Sequence, residues 1–359
     1  MNASTAKRRN HSPRLTGRNA VMAGCVFLTG LLAFQPASAS APPEPIAVRI
    51  GHASGGSMSL AVGLLLEAQP DLLRKHGLVV DWSDFSATPN NCVSAVVAGQ
   101  TDACSTGLPT MLAAIGQGGK LRTVGAYSHP QISLILSRKT ASEKGVRPES
   151  PLAERIEAIK GVSFARPPQG TTGYATLALL LQPFNLSLDD FGTTYEMFDP
   201  SAMAAGVRVG KWDAASWSSG PIDQAVVDGS AYLWVSLPED APEAASFPSH
   251  GMLVSDSFAE ANPEAARRLY AAIKDATALL RAHDPDAIES LRSRFFSRMS
   301  PELFNTALGQ AIAALIETPD ISPEAFQKLV EFTKYSAPRA NYEDMTYAGI
   351  VDTVARTKP

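Results

Sequence analysis

Apolar and polar positions change period repeatedly along this chain, and each change marks an element. The stretch "IAVRIGHA" (46–53) alternates with the period of a strand and runs into Ser54-Gly55-Gly56-Ser57. Residues 60–68 then carry apolar positions at helical spacing. A second strand is predicted at "LVVDWSDF" (78–85), followed by "SATPNN", whose Thr, Pro and Asn suit a helix start. "CVSAVVAG" (92–99) fits a short helix, "DACSTG" (102–107) a buried third strand and "LRTVGAYS" (121–128) a fourth. Strands alternating with helices at this spacing predict parallel βαβ units, with the loops after the strands gathered along one sheet edge.

The pattern then begins again. "ISLILSR" (132–138) and part of "AIKGVSFARP" (158–167) read as strands, and a helix covers 174–182. "TTYEMF" (193–198) is a strand, "DPSAMAAGVRVG" (199–210) a turn and helix, and "DAASWS" (213–218) a strand. The halves echo each other in "AGQTDACSTGLP" (98–109) and "VGKWDAASWSSGP" (209–221). Both run from a helix-ending Gly through Asp-Ala and a strand of small side chains to a Gly-containing loop and Pro. Two similar α/β lobes are the simplest account. After a strand at "HGMLVSD" (250–256) the chain is helical. There "NPEAARRL" (262), "DPDAIESL" (284), "SPELFNTA" (300) and "SPEAFQKL" (322) each pair an N-cap acceptor with Pro at the first helical position and an acid beside it.

The stretch most suggestive of function is "RPPQGTTGYATLALLL" (166–181), a tight turn and two hydroxyls at a helix start. Unpaired backbone N–H groups and the positive end of the helix dipole meet there, which suits an anion. Catalytic patterns are missing from the sequence: it has no G-x-S-x-G, H-E-x-x-H, P-loop or dinucleotide fingerprint. The acid pairs Asp189-Asp190 and Glu239-Asp240 read as solvated loop or cap positions. Strand-end loops instead supply Ser57, Asn90, Asn91, Ser105, Thr106, Thr171, Thr172, Ser201, Trp217, Ser218 and Ser219. Hydroxyls, amides and one Trp with few charges suit a small polar ligand. Taken singly, a Thr-Thr start is a cap and Trp217 is core. Their coincidence at matching ends of two lobes is what favours binding.

Composition refines this picture. Residues 1–19 carry Lys7, Arg8, Arg9, Arg14 and Arg18 without an acid, residues 20–34 are apolar, and Ala37-Ser38-Ala39 fits a cleavage site. This predicts a secretory signal peptide over 1–39, cleaved on export. Arg8-Arg9 is followed by Asn10-His11, a poor match to a twin-arginine signal, and Cys25 lies too early for a lipoprotein box. Removing residues 1–39 leaves 26 Lys and Arg against 35 Asp and Glu, a net charge of −9. Such a chain has no electrostatic reason to hold nucleic acid or an anionic membrane. Six scattered His and no CxxC predict no metal site and no cofactor.

Together, "IAVRIGH", "VAGQTDACSTGLPTMLAA", "IKGVSFARPPQGTTGYATLALLL" and "GKWDAASWSSGP" resemble the periplasmic solute-binding proteins of ABC importers for sulfonates, taurine, nitrate and thiamine precursors. The resemblance covers most of residues 46–300. It implies a type II periplasmic binding fold: two α/β lobes, each a mainly parallel sheet flanked by helices, a helical C-terminal region packed on lobe one, and hinge strands at 131–138 and 249–256. Lobe one would comprise 40–133 and 254–359, and lobe two 134–253. By position the family's ligand loops fall on Ser54, Gly55 and Ser57, on Asn90 and Asn91, on Ser105 and Thr106, on Gly170, Thr171 and Thr172, and on Trp217 and Ser218. Gly220 stands where relatives place an acid before Pro221, and Tyr174 where they carry small residues.

The expected function is capture of a small organic ligand, an organosulfonate or similar anion first, by lobe closure, and delivery to an inner-membrane permease by a monomeric protein. Arg166 is a candidate cation beside the turn. The alternatives are a nitrogen heterocycle stacked on Trp217, or an enzyme of thiamine-precursor synthesis on the same fold, which would need reactive His and Cys in the cleft. His52 is the one His near a predicted ligand loop. Cys92 begins a helix and Cys104 stands near the end of the next strand, at comparable lengths down and back, so a disulfide is expected.

Overall fold

A computed structural model describes residues 44–352 apart from 55 and 87, together with residue 355. The expected signal peptide over 1–39 lies outside the described residues, as does Gly55. Ten strands form two five-stranded sheets: β1 (Ile46–His52), β2 (Leu78–Asp84), β3 (Ala103–Gly107), β4 (Leu121–Ser128), β5 (Ser133–Ser137), β6 (Phe164–Arg166), β7 (Thr194–Glu196), β8 (Ala214–Trp217), β9 (Ala231–Ser236) and β10 (His250–Ser255). The helices of eight residues or more are α1 (Ala61–Ala68), α2 (Pro89–Val97), α3 (Leu108–Ile115), α4 (Thr172–Leu181), α5 (Pro200–Arg208), α6 (Pro263–Arg281), α7 (Pro285–Phe295), α8 (Pro301–Ala313) and α9 (Pro323–Ser336).

The sheets have the orders β2-β1-β3-β10-β4 and β7-β6-β8-β5-β9. They are the same arrangement built twice. In each, three parallel strands from βαβ units are followed by one antiparallel strand and then an edge strand that again runs with the first three. The two echoing segments occupy equivalent places, since β3 and β8 are both third in their sheets. The reversed strand is in each case the one that arrives from the other lobe. Thus β5 follows β4 through His129–Ile132, and β10 follows the second lobe through Pro248-Ser249. All of β10 lies in the first sheet, so the passage back falls before the expected boundary at 254.

The sequence pattern did not mark β9, "AYLWVS", because its short apolar run has no alternation to separate strand from buried helix. Three of the four Pro-Glu/Pro-Asp helix starts are capped as the sequence suggests, with Asp284, Ser300 and Ser322 accepting from the N–H of Ala287, Leu303 and Ala325. Asn262 is the exception. Its backbone also ends the preceding short helix, and its amide donates back to the Phe258 carbonyl instead of capping α6.

The C-terminal helices pack on the first sheet, as expected, through α6 against β4 and α1 and through α7 against α1. They also reach further than the sequence suggests. Helix α9 sets Phe326, Leu329 and Val330 in one apolar cluster with Leu108, Met111 and Leu112 of α3 and with Ala175 of α4, so it touches both lobes.

Candidate functional site

Parallel strands deliver their C-terminal ends to one edge, and here two such edges face each other. The residues that follow β1, β3, β6 and β8 meet around a small cavity of about 50 Å³. Ser54, Ser57, Thr106 and Gly107 line it from one lobe, and Thr171, Thr172, Gly173, Trp217 and Ser218 from the other; Pro89 and His250 complete the ring. The lobes are in direct contact beside it. The Met58 N–H donates to the Ser219 carbonyl at 3.2 Å, and a Cβ on Gly107 would sit 1.9 Å from Thr172 Oγ1.

Helix starts converge on this space. Gly107 is the N-cap of α3, Thr171 that of α4, and Pro89 the first residue of α2. Each brings N–H groups without helical acceptors and the positive end of a dipole. No side chain with a full charge lines the cavity among the described residues. An anion held here would therefore be held by neutral donors and helix ends.

The two threonines of the turn divide the work. Thr171 caps α4: its hydroxyl accepts from the Tyr174 N–H at 3.3 Å and donates to the Pro168 carbonyl at 2.7 Å. Thr172 is buried and its Oγ1 has no partner, and the same holds for Trp217 Nε1. Buried polar atoms ordinarily find partners, and leaving one unmatched costs about 1–3 kcal/mol. Two unmatched atoms on residues that line one small cavity point to a guest that accepts from both. Gly170, at φ 84°, makes the turn that presents this pair.

Several expected ligand residues lie elsewhere. Asn90 and Asn91 are exposed at the start of α2, and Asn90 lines a neighbouring groove together with Gly170. Ser105 is buried and pairs its hydroxyl with Tyr127 at 2.7 Å, because side chains alternate along β3 and only Thr106 faces the cavity. Arg166 is bound to Glu196 at 2.7 Å and lies over the Tyr174 ring, so it is not the cation of the site. Ser201 lines a separate depression of about 630 Å³ between α5 and the α7–α8 connection. Ser219 donates to Gln131 at 2.9 Å. Gly220 replaces the family's acid for a visible reason: at φ 134°, its α-carbon lies where a Cβ would come within 2.9 Å of the Gly56 carbonyl.

His52 is not the histidine of the cleft. It is buried between Glu67, at 2.9 Å, and the edge of Phe295. The cavity histidine is His250, which the sequence reading missed. A reversed strand brings its beginning to the shared edge, so His250 pairs with Gly107, the last residue of β3. The signal that could have found it was that "HGMLVSD" arrives from the other lobe.

Cys92 and Cys104 are joined in a disulfide that ties α2 to β3, with Cα atoms 6.0 Å apart. Both ends of that tie carry cavity residues, Pro89 on α2 and Thr106 on β3.

Burial pushes the His250 imidazole down to about 3, so it stays neutral in the folded protein. An unfolded His binds a proton near 6.5. The stability that depends on neutral His250 is therefore complete above pH 6.5 and drains as the pH falls towards 3, about 2 kcal/mol being lost by pH 5. Asp223 acts oppositely. Its buried carboxyl is raised to about 6, so its contribution is present below the ordinary carboxylate range and is lost as pH rises through 6. His250→Gln should remove the acid-side loss and leave the opposing Asp223 slope, so its urea midpoint should rise from pH 7 to pH 5 relative to the parent. Parallel profiles for the two proteins would refute the assignment.

Solved structures share this architecture. The periplasmic aliphatic sulphonate-binding protein SsuA of Escherichia coli is 18% identical, over 81% of this chain and 91% of its own, with a TM-score of 0.63. The alkanesulfonate-binding SsuA of Xanthomonas axonopodis pv. citri, bound to MOPS, is 19% identical over 83% and 95%, with a TM-score of 0.63. The periplasmic nitrate-binding protein NrtA of Synechocystis is 17% identical over 82% of each chain, with a TM-score of 0.62. At such identities these likenesses show the fold: the two-lobed periplasmic binding architecture that the sequence suggested. No curated protein matches the sequence. The model of the NMT1-like family matches residues 41–293, most of both lobes, and this chain belongs to that family.

Proposed function

We propose that this protein is the periplasmic solute-binding component of an ABC importer, and that it takes a small oxyanion or the sulfonate head of a small organosulfonate. The observation that carries the ligand class is the pair of buried, unmatched atoms, Thr172 Oγ1 and Trp217 Nε1, on a cavity that joins helix starts without a charged side chain. Helix N-termini of this kind bind oxyanions. Size supports the same class. An apolar cavity that accepts benzene measures about 150 Å³, three times the space here, so a stacked pyrimidine would hold the lobes apart. Capture rather than chemistry also follows from the cysteines, which are bonded to each other rather than presented as thiols. No helix of the described residues is long and apolar enough to cross a membrane, which is compatible with an exported, monomeric receptor that meets a separate permease.

A thermal-shift series with methanesulfonate, nitrate and a hydroxymethyl-aminopyrimidine tests this reading. A ligand at 100 times its Kd stabilises the folded state by about 2.7 kcal/mol, so a binding anion should raise the melting temperature by several degrees. Thr172→Val should abolish that rise with little change to the ligand-free protein. A shift with the pyrimidine alone would replace the anion reading with the heterocycle.

A further inference from the structure

We propose that the groove beside the cavity is a second subsite, which takes the tail of the same ligand and selects tails ending in an acceptor or a negative charge through Arg339. This inference rests on the anion reading of the cavity and specifies the substrate class further. The groove has a volume of about 710 Å³, and consecutive residues line the two spaces: Pro89 the cavity and Asn90 the groove, Thr171 the cavity and Gly170 the groove. On the groove wall the Thr110 hydroxyl donates to the Gly170 carbonyl at 3.5 Å, the outer limit of a hydrogen bond, and Gly170 is followed by Thr171 of the cavity.

The lining of the groove fixes the chemistry of that substituent. Asn90, Ser94, Gln117 and Gln169 are neutral hydrogen-bonding groups, and Arg339 is the one charged side chain among the described lining residues. Arg339 is exposed and makes no ion pair among the described residues, where ten of the fifteen described arginines do. Its segment is held in place. The Asn341 N–H donates to the Gly116 carbonyl at 3.2 Å, the Tyr342 hydroxyl donates to the Ala337 carbonyl at 2.8 Å, and a Cβ on Gly116 would come within 2.7 Å of that of Ala340. A guanidinium on an anchored wall, facing amides and no carboxylate, favours a carboxylate or polyhydroxyl tail over an alkyl one. Residue 339 lies beyond the stretch matched by the family model, residues 41–293.

The test is calorimetric titration with methanesulfonate and with unbranched alkanesulfonates of two to six carbons, each with a terminal methyl or a terminal carboxylate. It compares the parent protein with Arg339→Gln, a surface change that leaves the cavity intact. The expected result is a carboxylate tail that binds about fivefold more tightly than its methyl counterpart at one or more chain lengths, the size of a partly exposed ion pair. That advantage should disappear in Arg339→Gln while methanesulfonate affinity stays the same. If methanesulfonate binds but the carboxylate brings no advantage, or one that survives Arg339→Gln, the tail subsite is overturned and the anion reading stands. If no sulfonate binds the parent protein, the tail subsite falls, and if nitrate fails to bind as well the anion reading falls with it.

Discussion

Gly107→Ala should lower ligand affinity about 100-fold while leaving the ligand-free protein as stable as before. The backbone at Gly107 is ordinary, at φ −68° and ψ 128°, so alanine is not strained there. By narrowing the unfolded ensemble it should even add a few tenths of a kcal/mol. The damage lies across the cleft, where the new methyl would sit 1.9 Å from Thr172 Oγ1 and 3.1 Å from Thr172 Cβ. Either the lobes stay apart or Thr172 turns its hydroxyl away, and both outcomes remove a donor from the guest. A hundredfold loss is about 2.8 kcal/mol, the size of one or two lost donors with incomplete closure. Titration calorimetry measures it directly. Unchanged affinity would mean that the closed arrangement is not the binding state.

Replacing Cys92 and Cys104 together by alanine should cost about 3 kcal/mol of stability. That is the magnitude for closing a short loop, and the two residues are 12 apart in sequence. Both sulfurs are fully buried, so the loss of packing adds to the loss of the link. The effect on affinity should be smaller, below tenfold, because Pro89 and Thr106 keep their places once the domain is folded. Calorimetric melting of the two forms decides the first point. For the second, titration calorimetry compares anion affinity in the two forms, and thiol titration of the denatured parent protein without reductant should find neither of the two cysteines reactive.

Much of this was legible in the sequence because it follows from local patterns. The strands β1 to β8 and β10 announced themselves by short runs bounded by turn residues. The doubled "GQTDACSTG" and "GKWDAASWSSG" signatures located the equivalent strands of two lobes. The helix start at Thr171 could be seen as binding equipment for the same reason, whereas the one at Gly107 was not marked as a helix start at all. What escaped was long-range. Nothing local distinguishes Ser105 from Thr106, but the pleat sends one to Tyr127 and the other to the cavity. Arg166 looked free until Glu196, thirty residues on, came beside it through the pairing of β6 with β7. His250 enters the cleft because its strand runs backwards, which no spacing in the chain reveals.

Helix α9 has a bearing on how the molecule moves. It is greased to α3 on one side and to α4 on the other, so the lobes do not swing as two bodies joined by a pair of strings. Any gape must shear one of these apolar faces past the other. Under the proposed function, Phe326 and Leu329 would therefore bear on release of the cargo without lining its cavity.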